Sequence, residues 1–237
     1  MSVRRTERLS SIAEINPPLS SEVRPDSKVS FVTMSAVSEA AAAVASEEIR
    51  DAKECLRGFT PFQRGDVLVA KITPCFENGK IVIANIGRKF GFGSTEFHVV
   101  RPDARYLDVR YLLHCLRQPH VRLQGQHRMT GSAGQRRVPA HFLSTFEIPL
   151  CTLHEQQRIA GILDAADALR ATRREALAQL ATLLQSTFLD MFGDPVRAGW
   201  PTETVEAIAL QEKGSIRTGP FGSQLLHGEF VEGRFLV

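Results

Sequence analysis

The sequence predicts an α+β protein in which a mixed β-sheet domain precedes one long projecting α-helix of the coiled-coil type and a short partial second domain. Three observations support this fold class. Short apolar runs separated by Gly and Pro turns fill the first 150 residues, as expected of β-strands. Residues 154–192 space their apolar side chains three and four positions apart, as an amphipathic helix does. After residue 195 the opening pattern restarts. The predicted domains are therefore residues 1–153, 154–192 and 193–237.

The N-terminal region supplies the predicted strands. Residues 1–15 fit a short helix or turn with Leu9, Ile12 and Ile15 on one side. Asn16-Pro17-Pro18 ends this segment, because proline cannot continue a helical hydrogen-bond ladder. Residues 36–50 are rich in Ala and tipped with acids, so they fit either a helix or a loop. Strands are predicted at residues 29–34, 67–72, 81–86, 95–100 and 145–150.

A helix and a basic loop follow the strand predicted at residues 95–100. Asp108 is a candidate N-cap for a helix that continues to Arg117, because its carboxylate can accept hydrogen bonds from the first helical turn. Residues 124–137 are polar and contain Gly, which predicts a loop. Between residues 104 and 141 seven arginines stand against one acid, Asp108. Such a segment suits a phosphate backbone, because each neutralised phosphate releases counterions.

The stretch from 154 to 192 reads as one unbroken helix about 58 Å long at a rise of about 1.5 Å per residue. Its apolar stripe must be buried against another long helix, either within the chain or from a partner such as a second copy. An ordinary core helix of unusual length is the alternative. The predicted interface residues are Ile162, Leu169, Leu177, Leu180, Leu184 and Phe188.

Composition places the protein in a broad class. With 43% apolar and 23% charged residues, the chain is an ordinary globular protein of 237 residues. The longest purely apolar run covers residues 40–45, far short of a membrane span, and no secretory signal opens the chain. We therefore expect no membrane partner and a cytoplasmic location. Four cysteines spaced 20, 40 and 36 residues apart predict small buried thiols rather than a metal site or a disulfide framework.

Several segments in one order resemble a known family. They are GDVLVAKITPCFENGK at 65–80, GFGSTEF at 91–97, GSAGQRRVP at 131–139, and IPL at 148–150 followed by HEQQ at 154–157. Together they resemble the specificity subunit of type I restriction-modification systems. Residues 216–226 resemble the opening of a second recognition domain of that subunit. The resemblance implies a non-catalytic subunit that reads a bipartite site on double-stranded DNA. It also implies docking of methyltransferase subunits and, in the full complex, of restriction and translocase subunits.

The chain departs from that family in its length. A full-length member carries two recognition domains and two conserved helices, whereas this chain has one domain, one helix and a fragment. It is therefore expected to be truncated or split, or a half-length form that dimerises through the helix. Two such helices packed antiparallel would set the half-site spacing. A methyltransferase, a helical protein adaptor and an inactive remnant remain as alternatives.

Polar side chains at the predicted strand ends are the candidate DNA contacts. Amides such as those of Asn78 and Gln135 suit adenine, whereas arginines suit guanine or phosphate. Glu77 and Glu96 are expected to be structural partners of nearby cations, and Lys71 can instead extend into solvent from a strand end. The candidate set is Lys71, Thr73, Asn78, Lys80, Ser94, Thr95, Arg128, Ser132, Gln135, Arg136 and Arg137.

Enzymatic motifs are incomplete. Asn16-Pro17-Pro18-Leu19 is similar to the motif of amino-methyltransferases, but Leu19 offers no aromatic face for a flipped base. Residues 90–93 lack the glycine spacing of a cofactor loop. No phosphate-binding GxxxxGK segment and no HExxH pair occurs in the sequence. We therefore expect no catalytic residues, no cofactor and no metal.

Overall fold

A computed structural model describes residues 5–132, 134–194, 197, 199 and 201–209. The chain divides into two compact units, Met1–Glu175 and Ala176–Val237. Mixed β-sheets and a long helix confirm the predicted α+β class. The described strands are β1 Arg5–Arg8, β2 Ala13–Ile15, β3 Lys28–Val32, β4 Val37–Ser38, β5 Ala43–Val44, β6 Glu48–Asp51, β7 Thr60–Gln63, β8 Val67–Ala70, β9 Ile81–Ile83, β10 Phe90–Gly93, β11 Phe97–Pro102 and β12 Glu147–Leu150.

Seven helices occur in the described part of the chain, and six of them begin in the first unit. Most are short, whereas one is far longer than the rest. They are α1 Leu9–Ile12, α2 Ala52–Cys55, α3 Val109–Leu116, α4 Pro119–His127, α5 Ala140–Thr145, α6 Leu153–Phe192 and α7 Val205–Ile208.

Two four-stranded sheets form the body of the first unit. In one the order is β2-β11-β8-β9 and every neighbouring pair is antiparallel. In the other the order is β6-β3-β10-β7, and β10 runs parallel to β3 but antiparallel to β7. Strands β1 and β12 pair antiparallel, which joins the start of the described chain to the segment just before α6. Strands β4 and β5 form a small hairpin.

The sheet that contains β8 is buried on both faces. Side chains alternate across a strand, so Val67 and Val69 point to one side and Leu68 to the other. Val67 and Val69 join the largest apolar cluster, together with Leu112 of α3. Leu68 packs in a second cluster with Phe97 of β11. Loops that leave the ends of β8 and β11 therefore start from a rigid layer.

The predicted strands are confirmed, with their ends moved by a few residues, as β3, β8, β9, β11 and β12. Two segments were predicted wrongly. Residues 36–50 are neither one helix nor a loop, because they contain β4, β5 and part of β6. Residues 1–15 were predicted as a helix or turn, but among the described residues α1 is flanked by strands β1 and β2. Strands β7 and β10 were not predicted.

The predictions for the helices are confirmed in part. Asp108 caps α3 as predicted, because its carboxylate accepts hydrogen bonds from the backbone nitrogens of Arg110 and Tyr111. The predicted loop at 124–137 is wrong up to residue 127, where α4 ends, and α4 begins with Pro119 in its first turn. Helix α5 was not predicted.

Helix α6 confirms the predicted long helix and contains 40 residues. Its six predicted interface side chains are between 46% and 82% exposed in the single chain. The residues after 209, including the segment 216–226, lie outside the described residues, so the predicted second domain is not described. Among the described residues no helix is long and apolar enough to cross a membrane.

Candidate nucleic-acid interface

The loop at residues 73–80, between β8 and β9, is held from below by an aromatic side chain. Phe76 is buried and meets Phe142 of α5 edge to face, with ring centroids 6.4 Å apart. Helix α4 passes so close that a Cβ atom on Gly125 would lie 2.3 Å from the Phe76 ring. Only glycine permits this approach. The aromatic contacts leave the tip of the loop, with Asn78, at the surface.

Glu77 serves this loop as an internal partner. The Thr73 hydroxyl donates a hydrogen bond to the Glu77 carboxylate, and Arg122 Nη1 of α4 donates to the Glu77 carbonyl oxygen at 2.9 Å. The expectation that the Glu77 side chain partners a nearby cation is wrong, because its carboxylate accepts from a hydroxyl and the arginine bonds only the backbone carbonyl. Thr73, a candidate DNA contact, therefore has its hydroxyl occupied within the protein.

Backbone hydrogen bonds bring three distant segments together. The Lys71 nitrogen donates to the Glu96 carbonyl at 2.8 Å, and the Val138 nitrogen donates to the Lys71 carbonyl at 2.8 Å. The Thr73 nitrogen donates to the Arg136 carbonyl at 2.9 Å. Candidate residues that are up to 66 positions apart in sequence consequently share one edge of the fold.

A short hairpin carries the arginines to this edge. Thr130 and Arg137 exchange backbone hydrogen bonds of 3.0 and 2.8 Å, which closes the hairpin. Gly131 opens its turn with a φ of 115°, and a Cβ atom there would lie 2.8 Å from the Gln135 carbonyl oxygen. The turn thus requires glycine at this position. It presents Ser132, Gln135 and Arg136 to solvent.

An ion pair fixes the hairpin against the turn before β11. Arg137 Nε lies 3.1 and 3.0 Å from the two Glu96 oxygens, and Nη2 lies 2.8 Å from Oε1. These hydrogen bonds from Arg137 hold the pKa of Glu96 below its usual range. Glu96 therefore partners a nearby cation as expected. The donor fork of Arg137, predicted to contact DNA, is largely occupied by this carboxylate.

His98 was not identified from the sequence, although it anchors the end of the same hairpin. Its Nε2 lies 2.8 Å from the Val138 carbonyl oxygen and its Nδ1 lies 3.1 Å from Asn16 Nδ2. A carbonyl oxygen can only accept and an amide nitrogen can only donate, so the ring is neutral with its proton on Nε2. Burial lowers the pKa of His98. The available signal was one histidine within the apolar strand β11.

The candidate residues fall into two groups by exposure. Lys71, Thr73, Ser94 and Arg137 are half-buried. The side chains of Thr73, Ser94 and Arg137 are hydrogen-bonded within the protein, whereas the bonds described above for Lys71 are those of its backbone. Lys80 is also half-buried, and its Nζ donates to the Met34 carbonyl at 3.1 Å and lies 3.8 Å from Glu39. Lys80 thus points to residues 34–39. The exposed group, which we call the loop face, consists of Asn78, Thr95, Arg128, Ser132, Gln135 and Arg136.

The loop face combines free cations with neutral donors and acceptors. Arg136 donates to the Gln126 carbonyl at 3.0 Å, and Arg128 lies 5.9 Å from the centroid of the Phe142 ring. Neither arginine forms an ion pair with a carboxylate of the described residues. The loop face as defined by exposure also includes two primary amides and two hydroxyl groups. This set can bind phosphate oxygens through the arginines and hydrogen-bond base edges through the amides.

Other candidate chemistry is limited. Cys55 and Cys115 are buried as predicted, whereas Cys75 and Cys151 are only half-buried. Burial raises the pKa of the Cys115 thiol to about 11, so this thiol stays protonated near neutral pH. Within the described ranges, no group of three His, Cys, Asp or Glu side chains could hold a metal ion.

The family assignment follows from the sequence match over this same region. Residues 5–181 match the family model described as the type I restriction modification DNA specificity domain. The chain belongs to this family. The match includes the whole loop face and the first 29 residues of α6.

Two curated relatives from Escherichia coli are similar over 191 residues. The chain is 39% identical to the type I restriction enzyme EcoEI specificity subunit and 37% identical to the EcoAI specificity subunit. Each alignment covers 77% of this chain and 32% of the relative. The chain thus spans about a third of the length of these specificity subunits.

The fold of this specificity domain is also found in a solved structure. The HsdS subunit from Thermoanaerobacter tengcongensis matches with a TM-score of 0.59 at 22% identity. The match covers 81% of this chain and 50% of the HsdS chain. At that identity the likeness concerns the fold alone.

Proposed function

We propose that the specificity domain binds one half of a bipartite site on double-stranded DNA through the loop face. The observation that carries this proposal is the convergence of three sequence segments on one edge, joined by the bonds of Lys71 to Glu96 and of Thr73 to Arg136. From the arginine-rich segment, that edge includes Arg136 and Arg137, whereas Arg105, Arg110 and Arg117 bind Asp103, Asp164 and the Glu39 carbonyl. Sequence-specific contact needs both base-edge donors and acceptors and phosphate-binding cations, and the loop face offers both.

The half-buried candidates act as the support for the exposed ones. Glu96 aligns Arg137, and Arg137 aligns the hairpin that presents Gln135 and Arg136. A hairpin that is ordered before DNA arrives loses less conformational entropy on binding. In this division of roles Asn78 and Gln135 hydrogen-bond bases, Arg128 and Arg136 bind phosphate or guanine, and the chain itself carries no catalytic residue.

The long helix provides the scaffold in this proposal. Its exposed stripe pairs with the helix of a second copy or with another helix of a longer specificity subunit. Either pairing holds two DNA-reading domains at a fixed separation. Methyltransferase subunits dock on this scaffold, and restriction subunits join in the full complex. The length of the helix between the domains then determines the preferred DNA spacer.

A charge-reversal experiment tests the DNA-binding role. We expect the double variant Arg128→Glu and Arg136→Glu to weaken DNA binding, measured with the methyltransferase partner present. The slope of log affinity against log salt should decrease by about 2, because each lost phosphate contact removes about 0.9. Arg57→Glu, an exposed arginine after α2, is the matched control. Unchanged affinity and salt slope in the double variant would rule out the loop face as the DNA contact.

A further inference from the structure

The first turn of α6 contains a polar side chain that is fully buried. Gln156 has no exposed surface. Its Oε1 accepts a hydrogen bond of 2.9 Å from the Asp108 backbone nitrogen. Its Nε2 donates to the Tyr106 carbonyl at 2.9 Å and to the Cys151 carbonyl at 2.8 Å. The amide therefore joins α6 to the segment that leads into α3.

This arrangement can be made only by a glutamine-like amide. A backbone nitrogen can only donate and a carbonyl oxygen can only accept, so the three partners fix which end of the amide faces each of them. Glutamate at position 156 would direct a carboxylate at two carbonyl oxygens, and a methionine would leave all three backbone groups without this partner. Asp108, whose backbone nitrogen donates to Gln156 Oε1, also caps α3 with its side chain. The start of α6 is thereby attached to the start of α3.

A second attachment lies eight residues further along α6. Asp164 Oδ1 is 2.8 Å from His114 Nε2, and Asp164 Oδ2 is 3.1 Å from Arg110 Nη1. Both partners belong to α3. Ala160, midway between the two attachments, is fully buried in the main apolar cluster. Because residues 156, 160 and 164 are four apart, they lie along one side of α6.

Two attachments to α3 fix the direction of α6, whereas a single attachment would allow α6 to rotate about it. Gln156 and Asp164 are separated by about 12 Å along the helix axis at about 1.5 Å per residue. The polar contacts at both ends and the apolar contact between them hold this part of α6 along α3. The contacts of Gln156 are shielded from water, and those of Asp164 are partly exposed because its side chain is 40% accessible.

We propose that Gln156 and Asp164 are positioning residues that set the direction in which α6 leaves the specificity domain. Where α6 acts as a spacer between two DNA-reading domains, which rests on the proposed function, the same pair determines the half-site spacing. Neither residue contacts DNA in this proposal.

Distance measurements on the full chain test the positioning role without DNA. Spin labels on unnatural amino acids at Arg88 of the sheet domain and Arg173 of α6 report the direction of the helix. Double electron–electron resonance should give one narrow distance distribution for the otherwise unchanged protein. We expect Gln156→Met to shift the mean or about double the width of this distribution, and Gln157→Met, at the exposed neighbouring position, to leave it unchanged.

A second variant covers the case in which Gln156→Met does not fold. Asp164→Leu removes both attachments of a half-exposed residue and should also broaden the distribution, whereas Asp164→Asn keeps one acceptor and should restore most of the narrow distribution. A folded Asp164→Leu protein with an unchanged distribution would overturn the positioning role.

DNA spacer preference separates this inference from the proposed function. A variant with an altered label distance should prefer a changed half-site spacer on DNA of varied spacer length. An altered distance with an unchanged spacer would overturn the link between the attachments and half-site spacing. If the loop-face variant loses DNA binding but keeps normal label distances, the result supports the DNA-binding role of the loop face and leaves the positioning role of Gln156 and Asp164 unaffected.

Discussion

The two halves of α6 differ in what they bury. Near its start the helix buries Gln156 and Ala160 completely. Further along the helix, Leu169 near its middle is 72% exposed, and Leu184 in its second half is 82% exposed. A polar amide is thus inside and large apolar side chains are outside, which reverses the usual preference.

The difference shows that burial along this helix depends on whether a side chain finds suitable hydrogen-bonding or packing partners, rather than on its polarity alone. Gln156 is buried because three backbone groups complete its hydrogen bonds, so little free energy is lost on removing it from water. Leu169 and Leu184 are instead largely exposed in the single chain. Burial of a leucine side chain contributes roughly 1.5–3 kcal/mol, so covering this stripe with another helix would stabilise the helix pair. We interpret the buried side of the first half as an attachment and the exposed apolar stripe as a pairing surface.

The largest effect should follow from changing the exposed leucines. The double variant Leu177→Gln and Leu184→Gln removes two apolar contacts from the proposed helix pair while it keeps good helix formers. At roughly 1.5 kcal/mol or more for each leucine, self-association should weaken by at least about 100-fold. Sedimentation equilibrium at several protein concentrations measures this change.

The matched control uses the opposite side of the same turns. Thr182→Gln with Ser186→Gln introduces the same residue type about 140–180° around the helix from Leu177 and Leu184, given 3.6 residues per turn. The control should self-associate normally. A chain that is monomeric at all concentrations before any substitution would contradict pairing with a second copy.

A smaller effect is expected from enlarging a side chain where the first half of α6 packs against the core. Ala160→Leu adds three carbons to a filled core and should lower the free energy of unfolding by about 1–3 kcal/mol. Ala165→Leu makes the same change at an exposed position of α6 and should alter stability by less than about 0.5 kcal/mol. Chemical denaturation of both variants measures the contrast. Equal stability losses would mean that the two positions do not differ in packing as described.

Local signals explain which elements the sequence could predict. The length and spacing of α6 and the cap at Asp108 depend on neighbours within a few residues, so both were predicted. Strand β8 was predicted because a run of four apolar residues suits a strand that is buried on both faces. These features need no knowledge of the rest of the fold.

The remaining features depend on distant neighbours. Strand β10 has the sequence FGFG and becomes a strand only because β3 and β7 flank it. Helix α4 contains Gly125 and several polar residues, so its pattern resembles a loop until Phe76 packs against it. Lys80 was assigned to the DNA-contacting set, but its partner Met34 is 46 residues away. No local pattern indicates such a pairing.

The smallest predicted effect is a pH dependence that distinguishes two of the buried polar side chains, His98 and Gln156. Both are matched to backbone groups, but only the histidine can take up a proton. Because burial lowers the pKa of His98, the unfolded chain binds this proton at a pH where the folded chain does not. The free energy of unfolding should therefore be highest above the unfolded pKa of about 6.5 and fall as the pH decreases below it.

The size and assignment of this effect can be measured together. One proton can change stability by at most about 1.4 kcal/mol per pH unit. His98→Gln removes the titrating ring, so the stability of this variant should fall less steeply than that of the parent protein between pH 6.5 and 5 when both are unfolded by urea. Gln156→Met carries no titrating change, so its stability loss should be the same at each pH. Parallel curves for the parent protein and His98→Gln would mean that the histidine is protonated equally in the folded and unfolded chains, in which case its Nδ1 would not accept the hydrogen bond from Asn16 that requires the neutral ring.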